Sequence, residues 1–146
     1  MEHCYIFDID GTLADLTHRL PFIQQTPKDW DGFFAACPHD RPISHVIQLA
    51  KDLASANALI CYLSGRSDQV REQTAAWLSD HGCPSGKLFM RKAGDHRPDH
   101  QMKVELLEAL RAEGFEPILV FDDRASVVKM WRELGVPCAQ VADGDF

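Results

Sequence analysis

Short apolar runs alternate with longer amphipathic segments along the chain. The runs HCYIF, ALICYLS, KLFM, PILVF and CAQVA are apolar at nearly every position, as is typical of parallel strands that are buried on both faces. Between them, apolar residues recur three or four positions apart, for example Val46, Leu49, Ala50 and Leu53, which is the spacing of an amphipathic helix. The pattern predicts an α/β fold, in which a Rossmann-like parallel sheet carries helices on both faces.

The helical segments predicted from this spacing are PKDWDGFFAAC, SHVIQLAKDLASAN, DQVREQTAAWLSDHG, DHQMKVELLEALRAEG and ASVVKMWRELG. With 146 residues, the chain has the length of one domain with its own core, and we assign residues 1–146 to a single domain. Residues 15 to about 45 lie between the first strand and the first long helix, and we predict that they form a small cap insertion over a fairly open site.

Composition narrows the function classes. The net charge is −7, which argues against a general basic coat for nucleic acid. The five cysteines are scattered without a C-x-x-C pair, so neither a zinc site nor a disulfide framework is expected. There is no charged-then-apolar leader and no apolar run near 18 residues in length. We therefore expect a cytoplasmic protein without a membrane partner.

Polar residues follow four of the predicted strands. Asp8 and Asp10 come after the first strand, Ser64-Gly65-Arg66 ends the second, residues 91–103 follow the third, and Asp122-Asp123 ends the fourth. Parallel α/β sheets bind ligands just beyond the carboxyl ends of their strands. These residues are therefore expected to meet in one crevice.

The types of residue at this edge indicate phosphoryl chemistry. Carboxylates from two strand ends provide the oxygen ligands that Mg²⁺ prefers. Ser64 adds a hydroxyl and Lys103 a positive charge, and such groups position and neutralise a phosphoryl group. Taken alone, Asp8 and Asp10 are also compatible with turn chemistry, and Thr12 with either a helix cap or a phosphate contact.

The motifs DIDGT, LSGR, a following lysine and FDD come in the order found in the haloacid dehalogenase superfamily of phosphatases, which this chain resembles. The longer blocks FDIDGTLAD, LSGRSD, MRKAGDHRPDHQMKVELL and DDRASVVKMWRELGVPCAQVADGDF resemble, within that superfamily, the 3′-phosphatase domains of polynucleotide kinase-phosphatases of the T-even phage type. The four superfamily motifs cover nearly the whole chain, whereas the closer resemblance is local to these blocks and weaker between them. The P-loop pattern G-x-x-x-x-G-K-[ST] is absent from the sequence, so no kinase activity is expected of this polypeptide.

The resemblance implies a role for each catalytic position. Asp8 corresponds to the nucleophile that forms an aspartyl-phosphate, and Asp10 to a general acid/base whose pKa should be raised by like-charged neighbours and partial burial. Ser64 would hydrogen-bond the transferring phosphoryl group. Lys103 would neutralise its charge, with Asp99 one turn earlier to orient the lysine, although Asp99 is equally suited to cap the helix.

The resemblance also implies ligands for metal and substrate. Asp8, the backbone carbonyl of Asp10 and Asp122 would hold Mg²⁺ directly, with Asp123 acting through water or from the second layer; the order of the last two is open. The predicted substrate-binding residues are Arg19, Gly65, Arg66, Arg91 and Asp99, with an ordinary surface role as the alternative for the arginines.

Local charge bears on the substrate. Residues 87–103, here called the basic segment, contain five Lys or Arg and two Asp, a net +3 in an acidic chain. This favours a phosphorylated nucleic-acid end or a nucleotide as substrate, although the segment may only balance the metal-site acids. Trp30, Phe33 and Phe34 in the predicted cap are interpreted as core rather than as a base-stacking surface.

The sequence thus predicts a Mg²⁺-dependent phosphomonoesterase, with a polynucleotide 3′-phosphatase as the leading function. A phosphatase of free nucleotides or other small esters is the alternative within the same superfamily. A receiver-type signalling domain is a distant alternative, because its phosphorylated aspartate lies on a later strand than its acidic pair, whereas KLFM ends without a lone aspartate.

Overall fold

Five parallel strands form the central sheet of the protein, for which a computed structural model describes residues 1–144. In chain order the strands are β1 (Glu2–Phe7), β2 (Ala14–Asp15), β3 (Arg41–Pro42), β4 (Leu59–Ser67), β5 (Lys87–Arg91), β6 (Phe115–Asp122) and β7 (Cys138–Gln140). The order across the sheet is β5-β4-β1-β6-β7, and each neighbouring pair is parallel. The predicted α/β fold class is confirmed.

Six α-helices connect and cover these strands. They are α1 (Pro21–Gln24), α2 (Trp30–Ala35), α3 (Ser44–Ser55), α4 (Arg71–Asp80), α5 (Asp99–Ala112) and α6 (Ala125–Glu133). The predicted apolar face of α3 is partly wrong, because Leu49 is 37% exposed while Val46, Ile47 and Ala50 are buried. None of the helices within residues 1–144 is both long and apolar enough to span a bilayer.

The core has two halves, one on each face of the sheet. Cys4 and Ile6 of β1 belong to the half that packs against α5 and α6, where Trp131 is fully buried. Phe7 belongs to the opposite half, which includes Trp77 of α4 and the buried face of α3. Because side chains alternate along a strand, a strand that is apolar throughout supplies both halves.

A helical insertion follows β1 in the chain. Strands β2 and β3 pair antiparallel, with Ala14 opposite Pro42, and residues 16–40 between them form the insertion segment, which contains α1 and α2. Helix α2 begins later than predicted, at Trp30, because the Asp29 carboxylate accepts the Gly32 N–H at 2.9 Å and caps the helix.

The sheet brings the carboxyl ends of β1, β4 and β6 side by side, since these strands are neighbours. Strand β4 runs further than predicted, to Ser67, and its register with β5 shifts between Ser64 and Ser67. Such an irregularity re-aims the side chains within it. It contains Arg66, whose buried side chain takes part in the site described next.

Candidate active site

Three buried aspartates meet at the ends of β1 and β6. Asp8, Asp122 and Asp123, the acidic cluster, each offer a carboxylate oxygen within 4.8 Å of the others. Lys103 of α5 donates from Nζ to Asp8 Oδ1 and to Asp122 Oδ2, both at 3.0 Å. One ammonium group therefore faces three carboxylates.

Local geometry at both strand ends holds the acidic cluster together. Gly11 adopts a φ of +82°, and a Cβ at this position would overlap the Asp123 carboxylate. Thr12 lies within hydrogen-bond distance of Asp8 Oδ2, at 3.2 Å, and of Asp123 Oδ1, at 3.4 Å. The buried threonine hydroxyl thus bridges the two strand ends rather than remaining available to cap a helix.

Residues 131–141 hold the carboxyl end of β6 in place. The Val141 N–H donates to the Asp122 carbonyl at 3.0 Å, and Gln140 Nε2 donates to the Asp123 carbonyl at 3.0 Å. Trp131 Nε1 reaches Asp122 Oδ2 at 3.4 Å. The position of the Asp122-Asp123 motif therefore depends on contacts from β7 and α6, which the motif's own sequence does not indicate.

The electrostatics of the cluster suit a bound cation. Burial, followed by the charge of Asp122, raises the pKa of Asp8 despite the opposing effect of Lys103. Burial also raises the pKa of Asp123. Burial alone would lower the pKa of Lys103, but Asp122 and Asp8 outweigh it and raise that pKa. The three carboxylates fit a hard divalent cation that takes oxygen ligands, because the lysine leaves negative charge uncompensated.

Asp10 belongs to a different set of contacts from the acidic cluster. Its Oδ1 accepts from Arg19 Nη2 at 2.7 Å and from Arg66 Nε and Nη2 at 3.0 and 2.8 Å. Asp40 Oδ2 accepts from the same two arginines, at 2.7 and 2.9 Å. Two carboxylates and two guanidinium groups thus form a compact charge network beside the cluster.

The predicted rise in the pKa of Asp10 is wrong for the protein without substrate. Burial does oppose ionisation, but Arg66 and Arg19 outweigh it and hold the pKa of Asp10 below its ordinary value. The prediction assumed that Asp10 would face the other acids. Instead, the β4 irregularity and the insertion segment each aim an arginine at it.

The predicted role of Arg19 and Arg66 also needs correction. Both side chains are fully buried, so neither presents a surface to a polynucleotide backbone. Arg19 additionally donates to the Phe33 carbonyl at 3.2 Å, and Arg66 to Thr74 Oγ1 at 3.1 Å. They orient Asp10 from within the fold.

Asp40 is the member of this network that the sequence did not indicate. Its side chain is fully buried, and its Oδ1 lies 2.6 Å from His18 Nε2 and 2.8 Å from Arg19 Nε. The Trp77 indole donates to its backbone carbonyl at 2.9 Å. Asp40 lies in an irregular segment without a recognisable motif, so no local pattern could have identified it.

Arg91 is largely buried and holds the loop of residues 92–98 in place. Its Nε donates to the Gly65 carbonyl at 2.8 Å, and its Nη1 donates to the carbonyls of Asp95 and Arg97 at 3.1 and 2.6 Å. These bonds attach the loop between β5 and α5 to the end of β4. Arg91 also lines the cavity above the acidic cluster, so its predicted contact with substrate stays a prediction.

Asp99 neither caps α5 nor hydrogen-bonds Lys103, although it lines the cavity, and its predicted contact with substrate stays a prediction. Its carboxylate accepts from Arg91 Nη2 and, at 3.2 Å, from Arg124 Nη1. Helix α5 starts at Asp99 without a side-chain cap, and within residues 1–144 the hydrogen bonds of Lys103 go to the acidic cluster. Gly65 lies against Asp99, since a Cβ on Gly65 would come 2.7 Å from Asp99 Oδ1.

Ser64 is fully buried at the end of β4, and its hydroxyl accepts the Arg66 N–H at 3.1 Å. That bond stabilises the turn that aims Arg66 at Asp10. The neighbouring Gly65, rather than Ser64, borders the cavity above the acidic cluster. The predicted contact between the hydroxyl and a phosphoryl group stays a prediction.

Most cations of the basic segment are paired, which favours the alternative that the segment balances nearby acids. Lys87 lies 3.5 Å from Glu113, and Arg97 pairs with Asp95 and Glu105, each at 2.7 Å. The two buried cations described above are likewise bound to carboxylates or carbonyls. Local net charge therefore gives little support to a nucleic-acid substrate.

A cavity of about 380 Å³ opens above these residues. Its lining includes the charged residues Asp8, Asp10 and Lys103. The insertion segment contributes an apolar part of the lining, formed by Leu16, Leu20, Ile23, Trp30, Phe33 and Phe34. Trp30 is 41% exposed, so the prediction that the three aromatic residues are core holds for Phe33 but is wrong for Trp30.

A family model described as the polynucleotide kinase PNKP phosphatase domain matches residues 2–146. The chain belongs to this phosphatase family. It is therefore a haloacid dehalogenase-type domain that hydrolyses phosphoric monoesters, as the sequence predicted. The family match does not support the receiver-type signalling alternative.

Relatives agree with this assignment over nearly the whole chain. A putative bifunctional polynucleotide kinase/RNA ligase of Autographa californica nuclear polyhedrosis virus is 35% identical over 132 residues, covering 89% of this chain and 18% of that protein. A chain in a solved Pnkp1/Rnl/Hen1 complex is 31% identical with a TM-score of 0.86, covering 100% of this chain and 47% of that chain. The phosphatase domain thus spans less than half of these relatives.

A haloacid dehalogenase-like hydrolase of Streptococcus pneumoniae has the same fold with little sequence similarity. It is 15% identical, with a TM-score of 0.68, and the match covers 95% of this chain and 84% of that chain. The likeness confirms the architecture of the sheet and its helices.

Removing Asp40 should destabilise the protein strongly. Asp40→Ala leaves two buried guanidinium groups with one carboxylate between them, and breaking a buried ion pair from one side costs about 3–5 kcal/mol. The control is Glu133→Ala, which removes an exposed pair with Lys129 at 3.8 Å and should change stability by less than about 1 kcal/mol. Urea unfolding measures both, and equal effects would contradict the proposed role of Asp40.

Asp123→Asn should stabilise the metal-free protein at high pH. The pKa of Asp123 in the folded protein lies above its ordinary value of 3.8, so the folded state binds the proton more tightly than the unfolded state does. The free energy of unfolding therefore falls as pH rises from the unfolded-state pKa through the folded-state pKa. The variant lacks this loss, so its Tm should exceed the wild-type value by about 2–8 °C at pH 8. The difference should shrink near pH 4.

Thermal melts in a chelator at both pH values measure this effect. Glu108→Gln, which alters an exposed carboxylate on α5, serves as the matched control and should show no such pH dependence. A Tm difference for Asp123→Asn that is the same at pH 4 and pH 8 would rule out a charge effect at this position.

Proposed function

We propose that the chain is a Mg²⁺-dependent phosphatase that removes 3′-phosphates from nucleic-acid ends through an aspartyl-phosphate on Asp8. The observation that carries this proposal is the division of the site into two charge systems. Asp8 lies among carboxylates and a lysine, whereas Asp10 lies a short distance along the chain among arginines. A nucleophile and a separate proton donor need such different surroundings.

The acidic cluster would hold the cation, together with the backbone carbonyl of Asp10. When bound, Mg²⁺ supplies positive charge that favours the ionised form of Asp8 and neutralises phosphoryl oxygens. Lys103, already 3.0 Å from Asp8 Oδ1, adds charge on the other side of the nucleophile. Thr12 orients Asp8 Oδ2 at 3.2 Å.

The reaction would proceed in two balanced steps. A carboxylate oxygen of Asp8 attacks phosphorus, the bond between phosphorus and the leaving oxygen breaks, and Asp10 gives that oxygen a proton. Water then attacks phosphorus, Asp10 takes its proton, and the bond between Asp8 and phosphorus breaks to release phosphate. Ser64 is proposed to contact the transferring group during these steps.

Asp10 needs a proton that it does not readily hold in the free protein, since Arg66 and Arg19 lower its pKa. A phosphate dianion in the cavity adds negative charge beside Asp10. This charge raises the pKa of Asp10 towards the value that a general acid requires. Substrate binding itself would thereby prepare the proton donor.

The relatives support the nucleic-acid substrate by their descriptions as a polynucleotide kinase/RNA ligase and as a component of an RNA repair complex. The competing candidate is a phosphatase of free nucleotides or small esters. It is favoured by the neutralised basic segment and by a cavity of only about 380 Å³. We propose the insertion segment as the cap that distinguishes these substrates, and a reducing, cytoplasmic setting for the free thiols.

Substitution of Asp8 and Asp10 separates their roles. Asp8→Asn should lower turnover about 10³-fold or more on every substrate, because an amide is a poor nucleophile. Asp10→Asn should cost about 10²–10⁴-fold on an oligonucleotide but less on 4-nitrophenyl phosphate, whose leaving group needs little protonation. Phosphate release with Mg²⁺ and with chelator measures both. Substantial activity in Asp8→Asn would exclude the covalent route.

A substrate panel tests the proposed specificity. We expect faster phosphate release from a 3′-phosphorylated oligonucleotide than from its 5′-phosphorylated counterpart or from free 3′- and 5′-nucleotides, compared as kcat/KM at one Mg²⁺ concentration. Glu108→Gln serves as the neutral control preparation. A preference for free nucleotides over both oligonucleotides would instead establish the small-ester function.

A further inference from the structure

The exposed indole of Trp30 lines the active-site cavity and packs against the rings of Phe33 and Phe34. Trp30 is 41% exposed, yet its ring lies edge-to-face with Phe33 at 5.8 Å and parallel to Phe34 at 6.1 Å between centroids. Phe33 and Phe34 also contact each other at 5.5 Å. Phe33 and Phe34 thus pack against the exposed Trp30 ring, and these three residues are here called the aromatic wall.

The aromatic wall is connected to the proton donor. The Arg19 guanidinium lies over the Phe33 ring, with Cζ 4.5 Å from its centroid, and Arg19 Nη2 is 2.7 Å from Asp10 Oδ1. The leaving oxygen must lie within reach of Asp10 to be protonated. The group attached to that oxygen therefore emerges on the side of the cavity that the aromatic wall borders.

Two kinds of chemistry line the cavity. The charged part of the lining has carboxylates, arginines and a lysine, which suit the phosphoryl group, while the apolar part offers apolar surface and a flat indole. A small aliphatic alcohol would leave that surface uncovered. A nucleoside has a polar sugar and a planar base, and a base stacks on an aromatic ring without regard to its sequence. Lys28 Nζ lies over the Trp30 ring, 5.7 Å from its centroid, so a cation already contacts the face of the indole.

From these contacts we infer that Trp30, supported by Phe33 and Phe34, is the stacking surface for the base of the nucleotide that carries the phosphate. The inference rests on the proposed function and deepens it, because it names the part of the substrate that the insertion segment recognises. Trp30 is a binding residue that does not take part in the chemical steps. The effect of replacing Trp30 should therefore depend on whether the substrate carries a base, and not on the phosphoryl group.

The test compares substrates with and without the terminal base. Trp30→Ala should lower kcat/KM about 5–100-fold, the effect of losing one base–aromatic stack, on the 3′-phosphorylated oligonucleotide. It should have little effect on the same oligonucleotide with an abasic terminal residue, and Trp30→Phe should restore most of the activity. Ile118→Ala, which alters an equally exposed apolar residue of β6, is the matched control.

Binding can be read without turnover. Trp77 and Trp131 are buried, with 3% and 0% exposure, so a base that stacks on Trp30 should quench tryptophan fluorescence. In Asp8→Asn, the base-bearing oligonucleotide should quench and the abasic one should not, and the effect should vanish when Trp30→Phe is added.

Equal losses on base-bearing and abasic substrates, or no loss on either, would overturn the inference. If the wild-type protein prefers free nucleotides, the proposed 3′-end function fails. The stacking inference is then tested by comparing the effect of Trp30→Ala on a nucleoside monophosphate with its effect on ribose phosphate. If the wild-type protein hydrolyses base-bearing and base-free esters equally well, the inference is also overturned.

Discussion

A buried excess of negative charge organises this protein. Three carboxylates converge on one ammonium group, and each is withdrawn from water at a cost that only opposite charge can offset. Lys103 supplies part of that charge from α5, with 3.0 Å contacts to Asp8 and Asp122. The remaining imbalance is tolerable in the free protein only because the pKa values of Asp8 and Asp123 rise. The same imbalance suits a hard divalent cation with oxygen ligands.

A second charge network keeps the Asp10 carboxylate apart from the acidic cluster. Asp10 is close to Asp8 in sequence, but its carboxylate is bound to Arg19 and Arg66, and Asp40 stabilises both arginines from behind. Without these cations, two neighbouring aspartates would compete for the same proton. The insertion segment supplies Arg19 and Asp40. The ionisation of Asp10 therefore depends on an insertion outside the central sheet.

Arg91 shows how a charged residue can shape a site by fixing a loop at its rim. Its guanidinium joins three backbone carbonyls and Asp99, which fixes the loop of residues 92–98 against the end of β4. That loop forms one rim of the cavity, and the aromatic wall forms another. Substrate recognition is thus expected to depend on rigid apolar surface and shape more than on free positive charge, because most cations near the cavity are already paired.

The sequence alone determined the fold class and the location of the acids. Apolar runs predicted β1, β4, β5, β6 and β7, and parallel strands place their carboxyl ends together whatever their order, so Asp8, Asp122, Asp123 and Lys103 were expected to meet. These inferences depend on local pattern and on a general rule of sheet geometry. The D-x-D-G-T motif and its companions indicated the family for the same reason, since each motif is contiguous in the chain.

Only the tertiary structure decided which charges pair. Asp10 was expected among acids and lies among arginines; Asp40 was not expected at all. Asp10 and Arg66 are separated by 56 positions in sequence, and Asp40 and Arg66 by 26. A charge responds to whatever lies within a few ångströms, and that depends on how β4 bends at Ser64 and how the insertion segment folds back over β1. Neither the bend nor the fold-back leaves a periodic signal, so the direction of a pKa shift could not be inferred from the motif.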